Sequence, residues 1–268
     1  MRIRIGYELI FSVPAPTEML LALFVRPERV GNLEQPEYLA VQPAVPVTKF
    51  MDVYGNMVGR IAAPAGQVKL FYDNVCRDNG DLEPWAYGMP QHPISELPAN
   101  VMPFLLASRY CEVDRMTEIA WGLFGQTMPG WPRAQAICDW VHANVKFGYE
   151  YARPTKTAYD TYIERTGVCR DLNHLAVTLL RAMNIPARYS TGYLGDIGVP
   201  ICPSPMDFSA CLEVYLGGCW WVMDARHNVR RIGRIMMAHG RDAADVALTT
   251  SFGMSTLEKF KVWTDELK

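Results

Sequence analysis

The apolar residues of this chain change period twice, and that change limits the folds open to it. In residues 2–11, Ile3, Ile5, Tyr7, Leu9 and Phe11 alternate with more polar side chains such as Arg4 and Glu8, the period of a half-buried strand. Residues 67–76 give a second candidate strand, in which Val68, Leu70 and Tyr72 alternate with Lys69, Phe71 and Asp73. Pro43, Pro46, Gly55, Gly59, Pro64 and Gly66 punctuate the region, as in a meander or sandwich. Beyond Asp114 the period becomes helical, and Met116, Ile119, Ala120, Leu123 and Phe124 share one face. Pro132 suits the first turn of a second helix, whose stripe runs through Ile137, Trp140, Val141 and Val145. A third helix carries Leu172, Leu175, Ala176, Leu179, Leu180 and Met183 and stops at Asn184, with Pro186 just beyond. Strand character then returns in residues 187–193. Residues 208–216 and 219–224 read as a hairpin closed by Gly217-Gly218, a pair that tolerates the positive φ of a type I′ turn.

This order predicts an α+β protein. A β-sandwich-like domain is expected over residues 1–104, ending in a Pro-rich surface linker. A second domain over residues 105–268 would pack helices on an antiparallel sheet. Half of the 268 residues are apolar, enough for a large core. The formal charge of −2 carries no basic excess, which argues against nucleic acid or an anionic membrane as the main partner. The expected partner is a small molecule or a protein. Glu8, Pro14, Pro16 and Glu18 interrupt the apolar N-terminus, so it is neither a secretory core nor a span of about 20 apolar residues. The expected location is the cytoplasm. The cysteine count, seven, is odd, without a CxxC pair or zinc-finger spacing, so most are expected to be reduced, packed thiols and neither a metal nor a cofactor is implied.

One cysteine rises above that reading. In Thr166-Gly167-Val168-Cys169-Arg170-Asp171, capping residue types precede a helix whose apolar stripe begins at Leu172. Cys169 then lies in the first turn, where unpaired N–H groups and the positive end of the helix dipole favour a thiolate. The same N–H groups could donate to a developing oxyanion. Asp171 takes up part of that field.

GVCRDLNHLAVTLLRAMNIPARYSTGYL, followed by DFSACLEVYLGGCWWVMDARHN, resembles the transglutaminase-like superfamily of papain-like cysteine proteins. The likeness runs roughly from Ala158 to Asn228. The β-rich start, with LLASRYC at Leu105–Cys111, is similar to the N-terminal region of bacterial members. In the family pattern G-V-C-R-D opens the central helix and supplies the nucleophile. D-x-H-A-W-x-E-V-Y supplies the histidine, and G-x-W-x-x-x-D the aspartate. The resemblance implies a cysteine protease, amidase or acyltransferase working through a thioester on Cys169, with a peptide, protein or small amide as substrate. Cys169 matches the nucleophile and Asp224 the orienting carboxylate. The histidine position falls on Ser209, and the tryptophan two residues later on Cys211. A serine hydroxyl is too weak a base to take the thiol proton near neutral pH or to protonate a leaving amine. The resemblance therefore allows either an enzyme with another base or a binding or scaffolding relative that has lost it.

His227, three residues after Asp224, is the candidate substitute base. In the simplest hairpin register Cys211 faces Asp224 and Ser209 faces Arg226, which turns His227 to the other sheet face. It reaches the site only if the strand ends and the chain turns at Arg226. His174, on the nucleophile helix, is expected to point away from Cys169 and to be a structural hydrogen bonder. His142, His92 and His239 are expected to be structural, the last two in loop-like stretches. Arg226, Arg230, Arg231 and Arg234 form a basic run that reads either as an anion site or as a solvated strand edge. Of Trp220 and Trp221, one is expected in the core and the other beside Cys169.

Overall fold

The computed structural model describes residues 1–267. Its N-terminal elements are Arg2–Val13 (β1), Thr17–Leu21 (β2), the helical turn Pro27–Val30 (α1), Ala40–Gln42 (β3), Thr48–Met51 (β4), Met57–Ala63 (β5) and Gly66–Arg77 (β6). Then come Val113–Phe124 (α2), Trp131–Asn144 (α3), Lys146–Phe147 (β7), Ala158–Glu164 (α4), Thr166–Gly167 (β8) and Cys169–Ala182 (α5). The chain ends through Ala187–Tyr193 (β9), Ser209–Leu216 (β10), Cys219–Met223 (β11), Ile235–Gly240 (β12), Thr249–Ser251 (β13) and Thr256–Leu267 (β14).

The alternation at the N-terminus makes one face of a sandwich. Ile3, Ile5, Tyr7, Leu9 and Phe11 point inward and meet Met19, Leu21, Ile61, Val68 and Leu70 in a continuous core. The two sheets run β14-β1-β6-β3 and β13-β2-β5-β4. A division at residue 104 does not hold for the strands. β14 pairs with β1 on the side opposite β6, and β13 pairs with β2. The end of the chain therefore returns to complete the N-terminal sandwich. The physical reason is the edge of β1: its long row of backbone donors and acceptors needs a partner on each side. The alternation of Val262 and Thr264, both buried, with Lys261, Trp263 and Asp265 is the sequence signature of that partner.

The third sheet is antiparallel in the order β11-β10-β9-β12. Helix α5 lies on one face, where Leu172, Leu175, Leu179 and Leu180 pack with Ala187, Leu212, Val214 and Leu216. Each of the leucines and the valine contributes about 1.5–3 kcal/mol by leaving water. Tyr193, Ile235 and Met237 from the same sheet join the sandwich core instead. Both faces of β9 are thus covered, and every residue of Ala187–Tyr193 is buried. Gly217 and Gly218 have φ of 59° and 83°, as the tight hairpin requires, and Asn184 takes φ of 61° just past α5. No helix among the described residues is long and apolar enough to cross a membrane.

Gly6 sits where β1 passes beneath Trp263, across from Asp73 on β6. A Cβ there would collide with the Tyr72 carbonyl and the Trp263 indole. Gly6→Ala should therefore destabilise the fold by about 1–3 kcal/mol. Denaturant unfolding checks this, and an unchanged midpoint would contradict the pairing of β1 with β14.

Candidate active site

Residues 166–171 build the start of α5. β8 pairs in parallel with β7, and the Gly148 N–H donates to the Gly167 carbonyl at 3.0 Å. Gly167 passes so close to the helix that a Cβ would lie 2.8 Å from that of Asp171. Asp171 Oδ2 accepts from the Val168 N–H at 3.0 Å, and its Oδ1 is held by the Arg170 guanidinium at 2.8 Å. The Asp171 charge is thus spent on a cap and an ion pair.

Cys169 is the first residue of α5 and partly buried. It packs on a small cluster containing Tyr189, Ala210 and Ala238. Helix position was expected to lower the thiol pKa, and the structure reverses that direction. Burial pushes the thiol above its ordinary value; the Ala210 N–H and the Arg226 charge oppose the rise, while Asp207 and Asp224 add to it. The resting thiol at neutral pH is protonated and needs a base.

β11 ends at Met223, and residues 225–227 form a turn. The register of the hairpin is the one expected, with Leu216 opposite Cys219 and Leu212 opposite Met223. Parity stops governing the side chains where the strand stops. The Asn228 N–H donates to the Asp224 carbonyl at 2.7 Å, and Asp224 Oδ1 accepts from the N–H groups of Arg226 and His227 at 3.0 and 3.2 Å. His227 folds back so that its Nδ1 lies 2.9 Å from Asp224 Oδ2. Helix α3 braces the turn: His142 Nδ1 donates to the Arg226 carbonyl at 2.8 Å, and Asn228 bonds to Gln135 and Asp139.

Asp224 is buried. Burial opposes its charge, but His227 and Arg234 outweigh burial and hold the carboxyl well below the usual carboxylate range. Arg234 bridges Asp224 Oδ2 at 3.0 Å and Glu83 Oε1 at 2.5 Å. Glu83 also accepts from the Arg231 N–H. Arg231 and Arg234 have side chains only 4% exposed, which overturns the solvated-edge reading for this pair. Asn173 ties the parts together. Its Nδ2 donates to the carbonyls of Cys169 and Ala210 at 2.9 and 3.1 Å, and its Oδ1 accepts from the Ala225 N–H at 3.2 Å.

His227, Arg226, Ser209, Asp207 and Tyr149 line one cavity of about 330 Å³. Ser209 is buried and its hydroxyl has no partner among the described residues. Neither Trp220 nor Trp221 lines this cavity, contrary to expectation. Trp221 packs on the helical core, and Trp220 lies against Phe104 and beneath Arg188. His174 behaves as expected, accepting from the Ala243 N–H at 3.0 Å and stacking on Tyr110. His239 lies in β12 rather than in a loop, with Nε2 3.0 Å from Arg188. Glu83, Asn173 and Arg234 were not singled out for the site from the sequence. Arg234 was visible only as part of the basic run.

A family model described as "Transglutaminase-like superfamily" matches residues 119–225. The crystal structure of a "Putative Cysteine Protease from Cytophaga hutchinsonii" superposes with a TM-score of 0.86 and 30% identity, covering 100% of this chain and 91% of that one. An uncharacterized protein of Mycobacterium leprae (strain TN) is 36% identical over 115 residues, 42% of this chain. That alignment spans 41% of the relative's own length.

Burial holds His239 down to about 3, with the charges of Arg188 and Arg26 assisting, and holds His174 well below its ordinary value. An unfolded histidine titrates near 6.5, so below that pH the unfolded chain binds protons that the folded chain refuses. Stability should fall as pH drops from about 6.5, by up to about 1.4 kcal/mol per pH unit for each histidine. Chemical unfolding at pH 7 and pH 5 measures the slope. His239→Gln should flatten it, and an unchanged slope would contradict a neutral buried His239.

Proposed function

Because the chain belongs to the transglutaminase-like superfamily, we propose that it is a cysteine-dependent amide hydrolase or acyltransferase in which His227 has taken over the role of the histidine missing at position 209. The observation that carries this reading is the turn after β11, which sets the His227 imidazole on Asp224 and in the same cavity as Ser209. Cys169 is the nucleophile, His227 the base and Asp224 the group that orients it. His227 gives its Nδ1 proton to the bond with Asp224, which leaves Nε2 as the acceptor for the thiol proton. The sulfur attacks the amide carbonyl, and the tetrahedral oxyanion forms near the open N–H groups at the start of α5. The imidazolium protonates the leaving amine, the C–N bond breaks, and a thioester remains on Cys169. Water, or a second amine, then attacks with His227 again as base, and the thiol is restored. The substrate is a peptide, a protein or a small amide. Seven free cysteines fit a reducing compartment, and the reading takes the cytoplasm as the place of action.

Burial by itself would make Cys169 slower than an exposed thiol towards an alkylating reagent. With His227 as base, iodoacetamide near pH 7 should label Cys169 faster than the exposed Cys219, with the sites mapped by mass spectrometry. His227→Asn should reverse that order. On an amide substrate Cys169→Ala should abolish turnover, and His227→Asn should lower it by about 10²–10⁴-fold, the usual weight of a general base. Ser209→His separates this reading from that of a binding protein whose catalysis was lost with the histidine. A large gain of activity in Ser209→His, together with a slow Cys169 in the unaltered chain, would support the binding protein and overturn the enzyme.

A further inference from the structure

The cavity lined by His227 contains two opposite charges, Arg226 and Asp207, that form no ion pair among the described residues and whose fields both reach the Cys169 thiol. Arg226 makes no ion pair among the described residues, and its guanidinium rests over the Phe147 ring at 3.9 Å. Asp207 likewise makes no ion pair there; its carboxylate is steadied by the Phe208 N–H, and burial raises its pKa against the attraction of Arg226. The other charged pair lining the cavity, Asp196 with Arg231, is 3.8 Å apart and matched within the protein. Ser209 lines the same cavity, and its buried hydroxyl has no partner among the described residues. A buried, unpaired hydroxyl costs free energy unless a partner completes it, and two opposite charges without direct partners are free to take a ligand. The volume, about 330 Å³, is at the small end of ligand sites.

Resting on the reading of Cys169 as nucleophile, we propose that this cavity is a substrate subsite for an α-amino-acid head group, with Asp207 binding its ammonium, Arg226 its carboxylate and the Ser209 hydroxyl either one. The position that the family pattern gives to an imidazole thereby becomes part of the binding surface. Serine is shorter than histidine and leaves room for substrate, and its hydroxyl can donate or accept. Arg226 is suited to a carboxylate because its guanidinium presents two parallel donors. Its guanidinium rests on Phe147, and its backbone is fixed by the bond of its carbonyl to His142. The substrate class is then an amide that carries a free zwitterionic amino-acid end close to the scissile bond.

Three small probes separate the charges. Norvaline carries both, pentanoate only the carboxylate and butylamine only the ammonium. Each is added at millimolar concentration while iodoacetamide labelling of Cys169 is timed by mass spectrometry. Norvaline should slow labelling several-fold, and more than pentanoate or butylamine. In Asp207→Asn the advantage of norvaline over pentanoate should vanish, and in Arg226→Gln its advantage over butylamine. Equal protection by the three probes in the unaltered protein, which needs no variant to fold, would overturn the proposal. So would a pattern unchanged in both variants. The labelling rate without any probe tests Cys169 as a nucleophile, so a slow thiol with selective norvaline protection would contradict the enzyme reading and leave the subsite standing.

Discussion

The side-chain amide of Asn173 is the contact on which the site depends. Its three hydrogen bonds reach the first residue of α5, the second residue of β10 and the turn after β11. Packing of α5 on the sheet and the pairing of β10 with β11 bring these segments near one another, and the amide joins all three at one point. Each of the bonded backbone groups is buried or partly buried, and leaving one unpaired costs about 1–3 kcal/mol. The amide thus fixes the distance between the thiol-bearing helix and the turn that carries Asp224 and His227. Burial on both faces of the central sheet holds the frame around it, and the returning strand β14 closes the sandwich against which that sheet rests.

A second constraint acts through charge. Glu83, Arg234, Asp224 and His227 form a line of ion pairs and hydrogen bonds running from the segment after β6 to the cavity. Buried charges persist only when they are matched, and here each inner member has a partner on both sides. Asp224 stays ionised deep in the protein because Arg234 and His227 both hold it. An ionised Asp224 in turn fixes the imidazole orientation through its 2.9 Å contact with His227 Nδ1. Burial raises the Cys169 thiol pKa, so in the proposed reaction the nucleophile comes from proton transfer to the ring and not from a standing thiolate.

Much of the fold was legible because hydrophobic period is a local property. The β1 and β6 strands, the three main helices, the glycine hairpin and the stop at Asn184 all appear where the pattern puts them. The return of β13 and β14 was not anticipated: the alternation around Val262 and Thr264 marks a strand, but which strand it pairs with is not a local property. Motif order singled out Cys169 and Asp224; they lie at the first residue of α5 and just past the end of β11, two elements that share one core. The location of His227 turned on where one strand ends. Side-chain parity sends it to the far face if β11 continues, and brings it to Asp224 because β11 stops at Met223. The reversed direction of the thiol shift has a similar origin. A helix start is visible in sequence, whereas the packing of Tyr189, Ala210 and Ala238 around the sulfur is not.

The transfer of the proton-handling role from position 209 to His227 is tested most directly by acylation with p-nitrophenyl acetate. Release of p-nitrophenolate gives the rate, and intact and peptide mass spectrometry locates the acyl group. The account predicts an acetyl group on Cys169, formed at a rate that His227→Asn lowers by about ten-fold or more and that Ser209→Ala leaves within a few-fold. Acylation of Cys169 at the native rate in His227→Asn, or no acylation of Cys169 at all, would contradict it.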